Sequence, residues 1–341
     1  MVTIYDIAKE ANVSPATVSR VLNRQGNVRD ETAQRVLKIA KAKKYSPNVM
    51  ARSLRTKKTF LIGLIIPDIE NPVYPAPVRG IQDVANQEDY SVIIHSTDGD
   101  ERKEIETLRR LHAVGVDGLI INISESSLLL FEEIKRLRSE SLPIVALGPW
   151  HPDLEIDYVS VENEKGAYMA TEHLLRLGYK RIAIVLGPRE NISSRERFSG
   201  YKKALEDYCV KFSEEIVYEG NFKMGSGYKA AKEMLKEKER PEAIFCANDV
   251  MALGAMAALQ QEGIRIPEDI ALIGFDDIEL ASLARPSLTT IAQPKYETGK
   301  IAAELLFEQI NGQSSSGKLY SIEPKLVIRE TTVKVREITT I

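Results

Sequence analysis

The sequence predicts an α/β protein in two parts: an all-α helix-turn-helix headpiece, then a larger body of doubly wound parallel sheets. Three observations predict it. Positive charge is concentrated in the first sixty residues, two short capped helical segments stand there about a tight turn, and beyond Thr59 short apolar runs alternate with amphipathic stretches. At 341 residues the chain exceeds one ordinary domain. Its 43% hydrophobic and 28% charged content suits a globular chain with ample core.

The headpiece opens on Thr3-Ile4-Tyr5-Asp6. Thr3 is placed to accept from the amide three residues on, and Asp6 stands where a capping-box partner belongs. Ile4, Ile7, Ala8 and Ala11 then share one helical face, and Asn12-Val13 breaks the helix. Ser14-Pro15 restarts it, a cap residue followed by proline at the first helical position. Over Pro15 to about Leu22, Val18, Val21 and Leu22 turn inward. Pro15, Ala16, Thr17, Ser19 and Arg20 stay outside. Gly26-Asn27 makes a loop, and Asp30 is read as the cap of a third helix with Ala33, Val36, Leu37 and Ala40 on its apolar face.

Two short helices about so tight a turn, closed by a third, make a unit whose second helix can enter a DNA major groove. Arg20 has the fork to engage guanine O6 and N7, or else a phosphate. The exposed residues near the start of that helix, Ser14, Pro15 and Ala16 among them, can reach base edges, while Thr17, Ser19 and Asn23 suit phosphate positioning. Tyr5 reads either as a core aromatic or as a backbone contact. Charge supports this reading. Residues 1–60 hold thirteen Lys/Arg against four Asp/Glu, a net of +9, which leaves −12 on the rest of a chain of net −3. A basic end fused to an acidic body gathers phosphate attraction at one place.

Next stands Tyr45-Ser46-Pro47-Asn48-Val49-Met50-Ala51-Arg52-Ser53-Leu54-Arg55-Thr56-Lys57-Lys58-Thr59. Together with the run from Thr3 to Asn23, TIYDIAKEANVSPATVSRVLN, it resembles the lactose-repressor (LacI/GalR) family of bacterial regulators, and the resemblance extends through the rest of the chain. It implies that 1–46 is the DNA-binding headpiece and 47–59 a hinge helix and linker, with the hinge ordering only on operator DNA beside its twin from a second subunit. Leu54 then matches the family's apolar wedge in the minor groove, flanked by Arg52 and Arg55. The implied partners are a pseudo-palindromic double-stranded operator, a second copy of the chain and a small-molecule effector, a carbohydrate in the sugar-responsive branch.

In the body, strand-like runs are Leu61–Ile66, Val92–His95, Gly118–Ile121, Ile144–Leu147, Ile182–Leu186, Ala243–Cys246 and Ile270–Gly274. Helices fill the gaps, among them Lys165–Leu177 ended by Gly178, and Asp249–Gln261 ended before Gly263. That is enough for two sheets. The resemblance implies the two-lobed periplasmic sugar-binding fold over 60–341: an N-lobe of about 60–161 plus 292–323, a C-lobe of about 162–291 plus 324–341, and the ligand between them.

Cleft candidates are polar residues just after strand ends: Asn248-Asp249 after Ile244–Ala247, Asp276 after Phe275, Arg197 beyond Leu186-Gly187-Pro188, and Gln293 after Thr289–Ala292. Such a set suits vicinal hydroxyls. Singly, Asn248 also reads as a helix cap and Arg197 as a surface ion pair, but Arg197, Asn248, Asp276 and Gln293 all match the family's effector contacts. Tyr74 and Phe222 fall at further cleft positions of the family, and Trp150 could stack on a sugar face or pack on a surface loop. Purine-responsive members carry an acidic residue where Asn248 stands, so this asparagine resembles the sugar-responsive branch. The Trp150 loop and Ile192-Ser193 match no single member of the family, which leaves the identity of the effector open.

Other classes fit less well. The start has neither the basic nor the apolar segment of a signal peptide, so a cytoplasmic protein is expected rather than a periplasmic receptor. No stretch approaches a membrane span. Four histidines without metal spacing, and no GxSxG, P-loop or GxGxxG, argue against an enzyme, a metal or a cofactor. Cys209 and Cys246 read as buried small hydrophobes rather than a disulfide framework. A closer rival keeps DNA binding but replaces the sugar with a phosphocarrier-protein co-repressor, or with a purine.

Overall fold

The computed structural model describes residues 2–22, 28–43, 45, 58–123, 127–313 and 317–333. The chain divides into two compact units, Met1–Phe60 and Leu61–Ile341.

In the first unit, α1 (Ile4–Ala11) is capped as its sequence predicts. The Thr3 hydroxyl accepts from the Asp6 amide at 3.4 Å, while the Asp6 carboxylate accepts from the Thr3 amide at 2.8 Å. It ends at Asn12, whose left-handed backbone (φ 49) returns an amide to the last turn. The second helix, α2 (Pro15–Leu22), begins with Ser14 Oγ accepting from the Thr17 amide at 3.1 Å. In α3 (Asp30–Ala42), Asp30 is the first helical residue and not the cap: Arg29 holds that position, with no side-chain cap bond. Asp30 there favours the helix through the dipole. Ile7, Ala11, Val18 and Val36 are fully buried at the centre of the three helices. Leu37, expected inward, is 50% exposed, because it lies a hundred degrees round the helix from the Val36–Ala40 stripe.

The second unit holds two six-stranded sheets, with elements numbered along the chain. The first runs β11 (Leu319–Ile322), β5 (Asp157–Val161), β4 (Ile144–Leu147), β3 (Gly118–Asn122), β1 (Leu61–Ile66), β2 (Ser91–Ser96). The second runs β12 (Lys325–Val327), β10 (Thr289–Ala292), β9 (Ala271–Asp276), β8 (Ala243–Cys246), β6 (Ile182–Leu186), β7 (Val217–Glu219). All pairs are parallel except β10 with β12. Both sheets therefore repeat one doubly wound order, whose switch points lie beyond β1 and β3 in one and beyond β6 and β8 in the other.

Helices α4 (Pro75–Gln87), α5 (Glu101–Val114), α6 (Leu128–Ser139) and α12 (Lys295–Ile310) cover the first sheet. The second sheet carries α7 (Asn163–Arg176), α8 (Ile192–Asp207), α9 (Met224–Met234), α10 (Asp249–Gln261) and α11 (Glu279–Leu283). The chain passes between the sheets at 161–163, 292–295 and 322–325. Three helix pairs meet backbone to backbone at glycines. A Cβ on Gly200 of α8 would stand 2.0 Å from the Glu164 carbonyl of α7. One on Gly254 of α10 would stand 2.0 Å from the Met224 carbonyl of α9, and one on Gly299 of α12 2.0 Å from the Pro77 carbonyl of α4.

Seven of the strand runs named from sequence are present, some with shifted ends: β2 and β3 extend beyond Val92–His95 and Gly118–Ile121, and β9 runs Ala271–Asp276 rather than Ile270–Gly274. The strands β5, β7, β11 and β12 lacked an apolar signature. Asp157 opens β5, and is buried because Gln309 Nε2 (2.9 Å) and the Lys318 amide (2.9 Å) satisfy it. Cys246 is buried as expected, but Cys209 is exposed, since it follows α8 in a left-handed turn (φ 54).

Candidate functional site

In the headpiece, the residues assigned to DNA lie on the outer side of α1 and α2. Ser14, Ala16 and Arg20 are exposed, and Pro15, Thr17 and Ser19 half-buried. The Ser14 and Thr17 hydroxyls stand 2.9 Å apart, held by the cap itself. Tyr5 is 71% exposed, which removes the core reading for it. Asn23, Arg52, Leu54 and Arg55 lie outside the described residues.

In the body, a cavity of about 340 Å³ opens between the two sheets, beyond the carboxyl ends of their strands. Tyr74, Arg197, Phe222, Asn248, Asp276 and Gln293 all line it. The floor is an ionic pair. The Arg197 guanidinium is buried 3.7 Å from Asp276 Oδ1, lies 3.8 Å over the Phe275 ring and donates to Asn163 Oδ1 (2.9 Å) and the Ala247 carbonyl. Asp276 also accepts from Gln293 Nε2. Burial pushes the Asp276 carboxyl above the usual carboxylate range, while Arg197 and Gln293 oppose that shift. Burial likewise raises the Tyr74 phenol, with Asp276 adding to it, so that Tyr74 faces the cavity as a neutral donor.

Asn248 does serve as a helix cap. Its Oδ1 accepts from the Met251 amide at 2.9 Å, and its Nδ2 donates to the Phe222 carbonyl at 3.0 Å. That second bond holds Phe222 in left-handed backbone (φ 62), with its ring against Gly187, where a Cβ would come within 2.0 Å. Asn248 and Gly187 together thus aim Phe222.

Trp150 is not brought to this cavity. Gly148, in left-handed backbone (φ 110) against the Ile123 carbonyl, turns the chain, so that Gly148 lines the cleft and Trp150 does not. Trp150 is 47% exposed and lines a separate outer cavity with Tyr168, Glu196 and Leu319.

Several cleft residues were not named from sequence. Asn163 joins the two cavities, accepting from Arg197 and donating to Glu196 Oε2 at 2.9 Å. Lys223 of the second sheet's side faces Asp68 of the first at 3.8 Å. Asp249, named with Asn248 from sequence, does not itself line the cavity: it is buried, with its carboxylate accepting from the Ile278 amide (2.9 Å) and from the Thr290 hydroxyl. Burial and the nearby Asp276 push its carboxyl far up. Asp276 (φ 116) and Asp277 (φ 53) are both left-handed, a conformation costing on the order of 1–3 kcal/mol per residue that only a braced loop retains.

Residues 3–48 match the family described as bacterial regulatory proteins, lacI family, and residues 171–332 match the periplasmic binding protein-like domain. The chain is 36% identical over 335 residues to the catabolite control protein A of Priestia megaterium, covering 97% of this chain and 99% of that one. It is 40% identical over 332 residues to the ribose operon repressor of Halalkalibacterium halodurans, covering 97% of each. Among solved structures, the lac repressor dimer bound to operator and the anti-inducer ONPF superposes with a TM-score of 0.86 at 32% identity, covering 97% of this chain and 99% of that one. The chain belongs to the lacI family of bacterial regulatory proteins, DNA-binding transcriptional regulators with an effector-binding body.

Proposed function

We propose that this protein is a homodimeric cytoplasmic repressor, acting by binding rather than catalysis, whose operator affinity is set by a monosaccharide held in the cleft. The observation that carries this reading is the buried Arg197–Asp276 pair with Gln293 at the floor of a cavity of about 340 Å³. A guanidinium fork beside a carboxylate offers donors and acceptors at the spacing of vicinal hydroxyls, and Phe222 supplies an apolar face for the ring. The 40% identity to a ribose repressor supports a sugar.

The test is a thermal-shift panel of monosaccharides, disaccharides, nucleobases and sugar phosphates on the full chain, paired with operator titrations. A monosaccharide should raise the melting temperature by several degrees and change operator affinity at least tenfold. A response confined to nucleobases, or to added phosphorylated phosphocarrier protein, would replace the sugar with the purine or protein reading.

For the headpiece, Arg20 reads a base edge in each half-site, with Ser14, Pro15 and Ala16 within reach of neighbouring base edges and Tyr5, Thr17 and Ser19 setting the register on the backbone. Asn23, Arg52, Leu54 and Arg55 extend that interface by the family resemblance alone. Arg20→Ala should relax discrimination at one base pair per half-site by about 1–3 kcal/mol. Binding to a set of singly substituted operators measures this, and an equal loss on every operator would make Arg20 a phosphate contact.

A further inference from the structure

The loop that carries Asp276 is braced from two sides. Asp249 of α10 accepts from the Ile278 amide at 2.9 Å. Thr290 of β10 accepts from the Asp277 amide at 3.4 Å, and Arg329, just after β12, donates to the Asp277 carboxylate at 2.6 Å. Asp249 and Thr290 belong to elements on the second sheet's side, and Arg329 stands just after β12 of that sheet. The fourth brace does not belong to that side. Lys295 Nζ donates to the Asp277 carbonyl at 2.8 Å and to the Asp276 carbonyl. Lys295 opens α12, which packs on β3, β4 and β5 and is locked to α4 where Gly299 meets the Pro77 backbone and Gly80 meets that of Tyr296. Its backbone therefore moves with the first lobe while its ammonium grips the second. The two carbonyls it grips belong to the successive left-handed residues at the cavity floor.

We propose that Lys295 is a positioning residue that clasps the two lobes together and aims Asp276, so that lobe spacing and effector capture become one equilibrium. An ammonium has three donors, and two are spent on carbonyls that left-handed backbone points the same way. Drawing the first lobe away withdraws the brace, and the strained pair relaxes with Asp276 off target. By linkage, an effector that needs Asp276 in place holds the lobes at the clasped spacing. The coupling rests on the cleft reading above; the clasp itself does not.

The experiment is accordingly run without effector. In a Cys209→Ser background, spin labels at positions 132 on α6 and 229 on α9 report the distance between lobes in the full-length protein, diluted into unlabelled chain. Lys295→Met should lengthen and broaden the distribution, Lys295→Arg should restore it, and the melting temperatures of all three should agree within a few degrees. A Lys295→Met distribution that superimposes on the wild type overturns the clasp. So does equal broadening in both variants with a large drop in melting temperature, which would make Lys295 a packing residue only. A clasp that holds while no sugar alters operator binding would refute the effector reading instead.

Discussion

Asp276→Asn is expected to abolish the sugar response while leaving operator binding intact. The substitution keeps the shape and the Gln293 contact but removes the charge opposite Arg197, so the guanidinium faces the ligand without its counter-ion. Losing one partner of a buried, hydrogen-bonded charge pair at a binding site costs about 2–5 kcal/mol, or roughly thirty-fold to several thousand-fold in Kd. Arg197 keeps Asn163, the Ala247 carbonyl and the Phe275 ring, so the fold should survive with a lower melting temperature. Calorimetric titration of the responding sugar, alongside operator binding with and without it, reads both effects. A variant that still releases or engages operator as the wild type does would remove Asp276 from the site.

The second large effect is on stability. Gly254→Ala should destabilise the body by about 1–3 kcal/mol or more, because the added methyl meets the Met224 carbonyl, a backbone atom that cannot rotate aside. At the scale of a domain this size that is a fall of roughly 3–10 °C in melting temperature. Gly225→Ala, in the partner helix, is the control. A Cβ there meets nothing within 4 Å, so the change should be neutral or stabilising by up to about 1 kcal/mol. Equal melting temperatures for the two variants would mean that α9 and α10 can separate freely, contrary to the packing described.

Most of the architecture was legible before the structure, for a physical reason. Strands buried on both faces must be continuous apolar runs, and Leu61–Ile66 or Ile182–Leu186 can hardly be anything else. Edge strands such as β7, β11 and β12 are short and half-solvated and carry no such signature, while β5 hides because its aspartate is satisfied from α12, far along the chain. The site was legible differently. Arg197, Asp276 and Gln293 stood out because they follow strand ends and match family positions, and they gather at one cavity floor. Lys295 and Asn163 carry no local mark. Each sits at a crossing between sheets, and its partners lie across a gap that only the fold defines. Trp150 misled because its distance from a strand end was right, and one glycine turn reversed its direction.

The glycine contacts between helices have a mechanical consequence. Where a helix pair meets backbone to backbone there is no side-chain layer to shear, so each lobe is expected to move as a stiff plate. The chain joins the lobes by the short links between Val161 and Asn163, Ala292 and Lys295, and Ile322 and Lys325, and the compliance is expected there. A displacement imposed at the cleft is then expected to reach the far edge of a plate with little loss, as with a door whose give is in its hinges. Stiffness lost at Gly254 or Gly299 would blunt that transmission even where the ligand still binds.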